Sequence, residues 1–132
     1  MLIDISNAEV INSKQINIHD DILNELTFDR NEKKLTLFFE SLTEPRNFYH
    51  IICNNVLSFD ITSCNFWGES PHVLDFEYVS EPEEILFLRL KDMHQSHFDS
   101  LCNLNKKCFE SIITFVSGDE LRIVCEEINY LK

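Results

Sequence analysis

The chain has 132 residues, of which 44% are hydrophobic and 26% charged, and this composition is typical of one soluble globular domain. The 23 acidic and 11 basic residues leave a formal net charge of −12. Phosphate backbones and anionic lipid surfaces repel so acidic a protein. This charge argues against nucleic-acid binding and peripheral membrane attachment, and it favours a basic protein partner.

The first predicted element is a short helix over residues 6–14. Ser6 and Glu9 have the spacing of a capping box, in which each side chain bonds the backbone N–H of the other residue. Apolar residues follow at positions 10 and 11.

From residue 22 onward the hydrophobic period is two, which indicates β-strands separated by polar turns. Candidate strands lie at residues 22–29, 34–40, 48–53, 57–62, 74–78, 85–90, 109–116 and 121–125. The segment 94–107 fits a short helix or a polar loop equally well. Positive backbone φ angles are expected in the turns at Asn54–Asn55 and at Gly118.

The same alternation predicts which side chains face the core. The strand at 48–53 is apolar on both sides and is therefore expected in the middle of a sheet. The inward-facing set includes Ile22, Leu26, Phe28, Leu35, Leu37, Phe39, Leu74, Phe76 and Tyr78. We therefore expect a single mainly β domain spanning residues 1–132. Its seven or eight strands would form an antiparallel sandwich or a strongly curved sheet, with one or two short helices.

Cysteine usage and the first residues bear on the compartment. Five cysteines, an odd number, exclude a fully paired disulfide framework within one chain. Residues 1–5 lack the basic leader and apolar stretch of a secretory signal, and no segment approaches the roughly 20 apolar residues of a membrane span. We expect a cytoplasmic protein with reduced thiols.

One cluster of residues has the side-chain types that bind zinc: His94, His97, Cys102 and Cys108. The common zinc finger instead has two closely spaced cysteines followed by the histidines. We therefore favour a polar connection with solvated histidines and buried cysteines, and we predict no metal and no cofactor. A zinc-binding protein is the less favoured alternative.

A second cluster suits acid–base chemistry. It comprises His72, Asp75 and Glu77, with Asp60 on a possible neighbouring strand. Carboxylates at positions i and i+2 are, however, the usual outer face of an antiparallel strand. The sequence contains no Gly-x-Ser-x-Gly motif, no glycine-rich phosphate loop and no Cys-x-x-Cys motif. We therefore expect that this protein is not an enzyme.

The most informative feature is an asymmetry of charge. Between Arg46 and Arg89 there is no Lys or Arg, and Trp67 lies in the middle of this acidic stretch. A tryptophan surrounded by one sign of charge is typical of an interface anchor with a steering field. The alternative interpretation is that Trp67 closes the end of the core. The predicted partner-binding residues are Trp67, Glu69, Asp75, Glu77, Glu81, Glu83 and Glu84.

Four segments carry a resemblance to a known family: Ile18–Asp21, Asn55–Phe59, Cys64–Ser70 and Phe115–Glu126. In these segments the chain resembles small, mainly β bacterial proteins that are often encoded beside polymorphic toxins and are described as predicted immunity proteins. The resemblance implies a mainly β fold and an inhibitory role. It supplies no catalytic residues to transfer.

Charge and resemblance together predict a non-catalytic immunity protein that binds a cognate, basic toxin and covers its active site or substrate groove. The alternative function is an oligomeric β domain whose acidity only maintains solubility. A homodimer is possible, because the apolar terminal hairpin at 109–125 could pair edge to edge across a two-fold axis, but a covered edge fits the sequence equally well.

Overall fold

The computed structural model describes residues 1–13, 15–42, 45–62, 72–79, 92 and 108–132. In chain order, the strands of this part are β1 (Leu2–Ile3), β2 (Ile22–Asp29), β3 (Lys34–Ser41), β4 (Asn47–Asn54), β5 (Ser58–Ile61), β6 (Val73–Val79), β7 (Phe109–Phe115), β8 (Glu120–Cys125) and β9 (Glu127–Tyr130). They form two antiparallel sheets, one in the order β1-β9-β4-β3-β2 and one in the order β5-β8-β7-β6. The predicted mainly β, sandwich-like fold is confirmed.

The core lies between the two sheets, because alternate residues of both contribute to one buried cluster. The predicted inner face of β3, formed by Leu35, Leu37 and Phe39, is at most 1% exposed. Strand β4 lies in the middle of its sheet, as its two-sided apolar pattern predicted. The second sheet adds Phe109, Ile113, Phe115, Leu121, Ile123 and Cys125 to the cluster.

The predicted helix over 6–14 is wrong in extent. The described part of that segment contains a single 3-10 turn, Ala8–Val10, preceded by Asn7 and lacking a side-chain cap. The Ser6 hydroxyl donates instead to the Asp4 carboxylate. A serine that bonds a local carboxylate no longer caps the backbone, so the capping-box interpretation fails here.

Two β-bulges change the predicted inner faces. In β6 the register shifts between Val73 and Asp75, so Val73 is buried and Leu74 is 49% exposed, against the prediction. In β2 a shift between Leu23 and Glu25 buries Leu23, while Phe28 at the end of the strand is 39% exposed. A bulge sets two residues opposite one, which breaks the period of two.

Two turns and the terminal hairpin have the conformations that the sequence allows. Asn55 and Gly118 have positive φ, as expected. The 109–125 hairpin becomes β7 and β8, and each has a strand neighbour on both sides, so the covered-edge alternative is the one observed. Strands β1 and β9 were not predicted. The predicted strand at 85–90 and the segment 94–107 lie outside the described residues.

Candidate functional site

Two of the predicted partner-binding residues fall in the described part of the chain. Asp75 and Glu77 lie on β6, and both are exposed, which confirms the solvent-facing interpretation of this carboxylate pair. The inner face of the same strand carries Phe76, which is 8% exposed. The remaining predicted residues lie outside the described ranges: Trp67, Glu69, Glu81, Glu83 and Glu84.

The acid–base cluster is not assembled. Asp60 lies on β5 and Glu77 on β6, with β8 and β7 between them. Three strand spacings of about 4.8 Å separate the two backbones by roughly 14 Å. The placement of Asp60 on a strand next to Asp75 is therefore wrong. His72 forms an isolated bridge with Ile22 before β6 begins.

The zinc alternative loses one of its four ligands in this structure. Cys108 is disulfide-bonded, whereas zinc needs a free thiolate. The expectation of reduced thiols is accordingly wrong for Cys108, although Cys53 and Cys125 are free and buried. A hydrogen bond with Cys53, together with burial, raises the pKa of the Cys125 thiol. His94, His97 and Cys102 lie outside the described residues.

A cleft of about 590 Å³ lies between β6 and the described residues of the segment 11–21, here called the N-terminal segment. In the described part of the chain, β6 lies at the edge of the second sheet. The walls of the cleft combine buried isoleucines of the N-terminal segment with polar and apolar side chains of both elements. The lining residues are Ile11, Ile16, Asn17, Ile18, His19, Leu74, Asp75 and Phe76.

The N-terminal segment closes the edge of β6 at both ends of this cleft. At one end, the Asp20 N–H donates to the Val73 carbonyl at 2.8 Å, and the Val73 N–H donates to the Asp21 carbonyl at 2.9 Å. At the other end, the Asn12 side-chain amide makes the pair of hydrogen bonds that a backbone residue of a neighbouring strand would make. Its Oδ1 accepts from the Tyr78 N–H at 2.7 Å and its Nδ2 donates to the Tyr78 carbonyl at 3.0 Å.

Between these two ends, no backbone group of the described residues pairs with the outer edge of β6 at Phe76. In an antiparallel pair the N–H and C=O groups of alternate residues point to the same side. Because those of Tyr78 point away from β7, those of Phe76 do too, toward the cleft. The Asp75 Oδ1 accepts from the Phe76 N–H at 2.9 Å. The Phe76 carbonyl has no hydrogen-bond partner among the described residues.

The wall of the cleft rests on a buried polar network. Asp21, 1% exposed, accepts a hydrogen bond from the Tyr49 hydroxyl and another from Lys132 Nζ at 2.8 Å. Lys132 Nζ also donates to the Asn17 carbonyl at 3.0 Å and lies 5.0 Å from the centre of the Tyr49 ring. The C-terminal residue of the chain thus holds residues 17–21 in place.

Tyr49 and the adjacent Tyr130, whose ring packs edge-on against that of Tyr49 with the ring centroids 5.9 Å apart, have altered acidity. Burial, reinforced by the hydrogen bond to Asp21 and by its negative charge, raises the pKa of Tyr49 far above its usual value. Burial and the charge of Asp21 raise the pKa of Tyr130 to about 12. Both phenols therefore stay protonated and neutral over the physiological pH range.

The cleft was not predicted from the sequence. Ile16 and Ile18 do alternate with Asn17 and His19, which is the pattern of a chain with one buried side, and this was the available local signal. The positive φ of 66° at Asp20 turns this segment onto β6. Asp is one of the few residue types that tolerate this conformation, but a single sequence does not mark which Asp adopts it.

No helix among the described residues is long and apolar enough to cross a membrane.

Comparisons with known proteins bear on fold and family. A search of curated proteins gave no significant match. The crystal structure of an uncharacterized protein from Neisseria gonorrhoeae is similar, with a TM-score of 0.53 and 24% sequence identity over 86% of this chain and 92% of that one. At this identity the similarity shows a shared fold alone.

One protein-family model, whose description reads simply "-like", matches residues 16–132. This match includes the cleft wall from Ile16 onward and every strand from β2 to β9. The chain therefore belongs to the family that this model describes.

Proposed function

We propose that the protein is a non-catalytic, immunity-type inhibitor that neutralises a cognate, basic bacterial toxin by binding it and covering its active site. The proposed surface is acidic and contains Trp67, with the predicted binding residues around it. The sequence resemblance and the charge asymmetry support this role.

The observation that carries the proposal is the exposed acidic strand at the edge of the second sheet. Asp75 and Glu77 extend into solvent from β6, and the exposed Leu74 adds apolar contact area beside them. Residues 72–79 contain no Lys or Arg that would neutralise these carboxylates. A basic partner would be steered to such a surface, since charge complementarity raises association rates and selects among partners.

The proposed site of action is the cytoplasm of the producing cell. The buried free thiols of Cys53 and Cys125 agree with a reducing compartment, whereas the disulfide at Cys108 argues against it, because disulfides are rare in the cytosol. Trapping thiols with an alkylating agent during lysis, followed by mass spectrometry, measures the state of Cys108 in the cell. A reduced Cys108 supports the cytoplasmic location.

The proposal is tested by co-expressing the chain with the product of the adjacent open reading frame and measuring cell survival and co-purification. Reversing two charges, with Asp75→Lys and Glu77→Lys, should weaken the complex at least about tenfold, because it sets like charges against a basic partner. Trp67→Ala tests the predicted anchor in the same assay, with an expected loss of similar size.

The matched control reverses two exposed acids of the β2–β3 hairpin in the other sheet, with Glu25→Lys on β2 and Glu32→Lys in the turn that follows it. This variant has the same net charge as the test variant, so it should protect cells as the parent does. Equal protection by all variants would reject the surface. A harmless neighbouring gene product that forms no complex would reject the immunity role.

Self-association is the second candidate function, and the outer face of the first sheet favours it. Phe48 on β4 is 73% exposed. Beside it lie the half-buried rings of Phe38 and His50, whose centroids are 5.1 Å apart. An exposed apolar patch on a sheet face marks an interaction surface. If the chain is an oligomer, light scattering should give a multiple of 15.6 kDa, and Phe48→Ser should shift it to one chain. A monomeric parent protein excludes this candidate.

A further inference from the structure

We infer that the cleft beside β6 binds an extended peptide segment that carries a basic side chain. The segment would add to the β6 edge at Phe76 and place its positive charge on Asp75. The identity of its source rests on the proposed function, since a basic toxin would provide such a segment. The chemistry of the cleft itself does not depend on that role.

The main-chain groups at the β6 edge favour a peptide. The Phe76 carbonyl is a backbone acceptor directed into the cleft, and its adjacent N–H is bonded by a side chain, Asp75, that can rotate away. Asn12 and Asp21 already bond the β6 edge on either side of Phe76, as a neighbouring strand would. An extended peptide completes this row of hydrogen bonds, which is the usual mode of strand addition to a sheet edge.

The dimensions of the cleft suit a short segment. From Val73 to Tyr78 the strand advances five residues, or about 16 Å at roughly 3.3 Å per residue. The volume of about 590 Å³ lies within the range of ligand-binding sites, roughly 300–1,000 Å³. The cleft therefore accommodates a few residues in extended conformation and cannot accept a long strand without opening one end.

The side chains of the lining define the chemistry of the peptide. Ile11, Ile16 and Ile18 lie behind the lining and are at most 5% exposed, so Leu74, which is 49% exposed, provides most of the accessible apolar surface. Asp75 provides a carboxylate at the rim, and its Oδ2 has no partner among the described residues. None of the described residues that line the cleft is Lys or Arg. An apolar residue directed inward and a Lys or Arg directed to the rim match this arrangement, and the alternation of a β-strand provides both.

The inference is tested by titrating the isotope-labelled full chain with a capped pentapeptide of alternating valine and lysine and following amide shifts by NMR. Shifts should concentrate at Phe76 and its cleft neighbours. Asp75→Asn keeps the acceptor for the Phe76 N–H but removes the charge, so binding should weaken about three- to fivefold. The same peptide with glutamate in place of lysine should bind more weakly still.

Glu77→Gln is the matched control, because Glu77 is an exposed acid on the same strand but does not line the cleft. Its affinity for the peptide should equal that of the parent. No shifts at the cleft, or equal weakening by Asp75→Asn and Glu77→Gln, would overturn the inference. Binding of the peptide without toxin protection would refute the proposed function alone, and protection with unchanged Phe76 amide shifts in the toxin complex would refute the cleft as its site.

Discussion

Asp21→Asn is expected to lower the free energy of unfolding by about 3 kcal/mol, which is a large part of the stability of a domain of this size. The Asp21 carboxylate is buried and accepts from both the Tyr49 hydroxyl and Lys132 Nζ. Both donors bond the same oxygen, Oδ2, so an amide oxygen in that place can still accept from them, but the uncharged amide leaves the Lys132 ammonium without its counter-charge. Equilibrium unfolding in urea at pH 7 measures the loss.

The adjacent residue provides the control for this prediction. Asp20 pairs with the exposed His19 at 3.0 Å, and its own side chain is 67% exposed. Asp20→Asn keeps a residue type that tolerates positive φ, so its effect should stay within about 0.5 kcal/mol. Similar losses in the two variants would mean that the Asp21 network contributes little to stability.

Asp21 also connects the stability of the domain to the cleft. Its backbone carbonyl accepts from the Val73 N–H at the closed end of the β6 edge, while its side chain is held by the C-terminal Lys132. Loosening this residue should therefore increase hydrogen exchange at Val73 before it does so in the central strands β3 and β4. The cleft wall is thus stabilised by contacts that lie behind it, within the core.

The sequence was sufficient for those strands whose alternation is uninterrupted. In β3 each of Leu35, Leu37 and Phe39 meets a partner on β4 in an uninterrupted register, so the period of two and the burial coincide. The bulges at Leu23 and Val73 break that coincidence, because an extra residue reverses the faces on one side of it. A single sequence carries no mark of where such a residue is inserted.

The remaining differences have a related cause, which is that the decisive contacts are distant in sequence. Strand β1 has two residues and β9 has four, too few to show an alternation, and their pairing is fixed by how the two ends of the chain meet. Likewise, Asp21, Tyr49 and Lys132 come together through the order of strands in the sheet. For the candidate site, the sequence identified Asp75 as an exposed acid but not the cleft beside it.

The second large effect is expected at alkaline pH, where the folded protein should lose stability steeply above about pH 10. A tyrosine in the unfolded chain releases its proton near pH 10. In the folded chain the pKa of Tyr49 is raised by burial and by its bond to Asp21, so Tyr49 keeps its proton. When the unfolded state binds fewer protons than the folded state, the free energy of unfolding falls as pH rises, by up to about 1.4 kcal/mol per pH unit for one group.

Tyr130 adds a smaller decline in the same direction up to about pH 12, because it is more exposed than Tyr49. The raised pKa of the Cys125 thiol acts with the same sign but from a lower pH, since an unfolded cysteine titrates near 8.5. The pH at which the free energy of unfolding begins to fall therefore distinguishes the groups. A fall that begins near pH 8.5 is due to Cys125, and a steeper fall above pH 10 is due to the tyrosines.

Tyr49→Phe isolates the contribution of one phenol. At pH 7 this variant should lose about 1 kcal/mol, because the Asp21 carboxylate loses a hydrogen-bond donor. Above pH 10 its free energy of unfolding should fall less steeply than that of the parent, so the two curves converge. Tyr78→Phe removes a tyrosine on β6, outside the Asp21 network, and should keep the steep decline. Parallel curves for the parent and Tyr49→Phe from pH 9 to 11.5 would show that Tyr49 is not the group whose proton the fold retains.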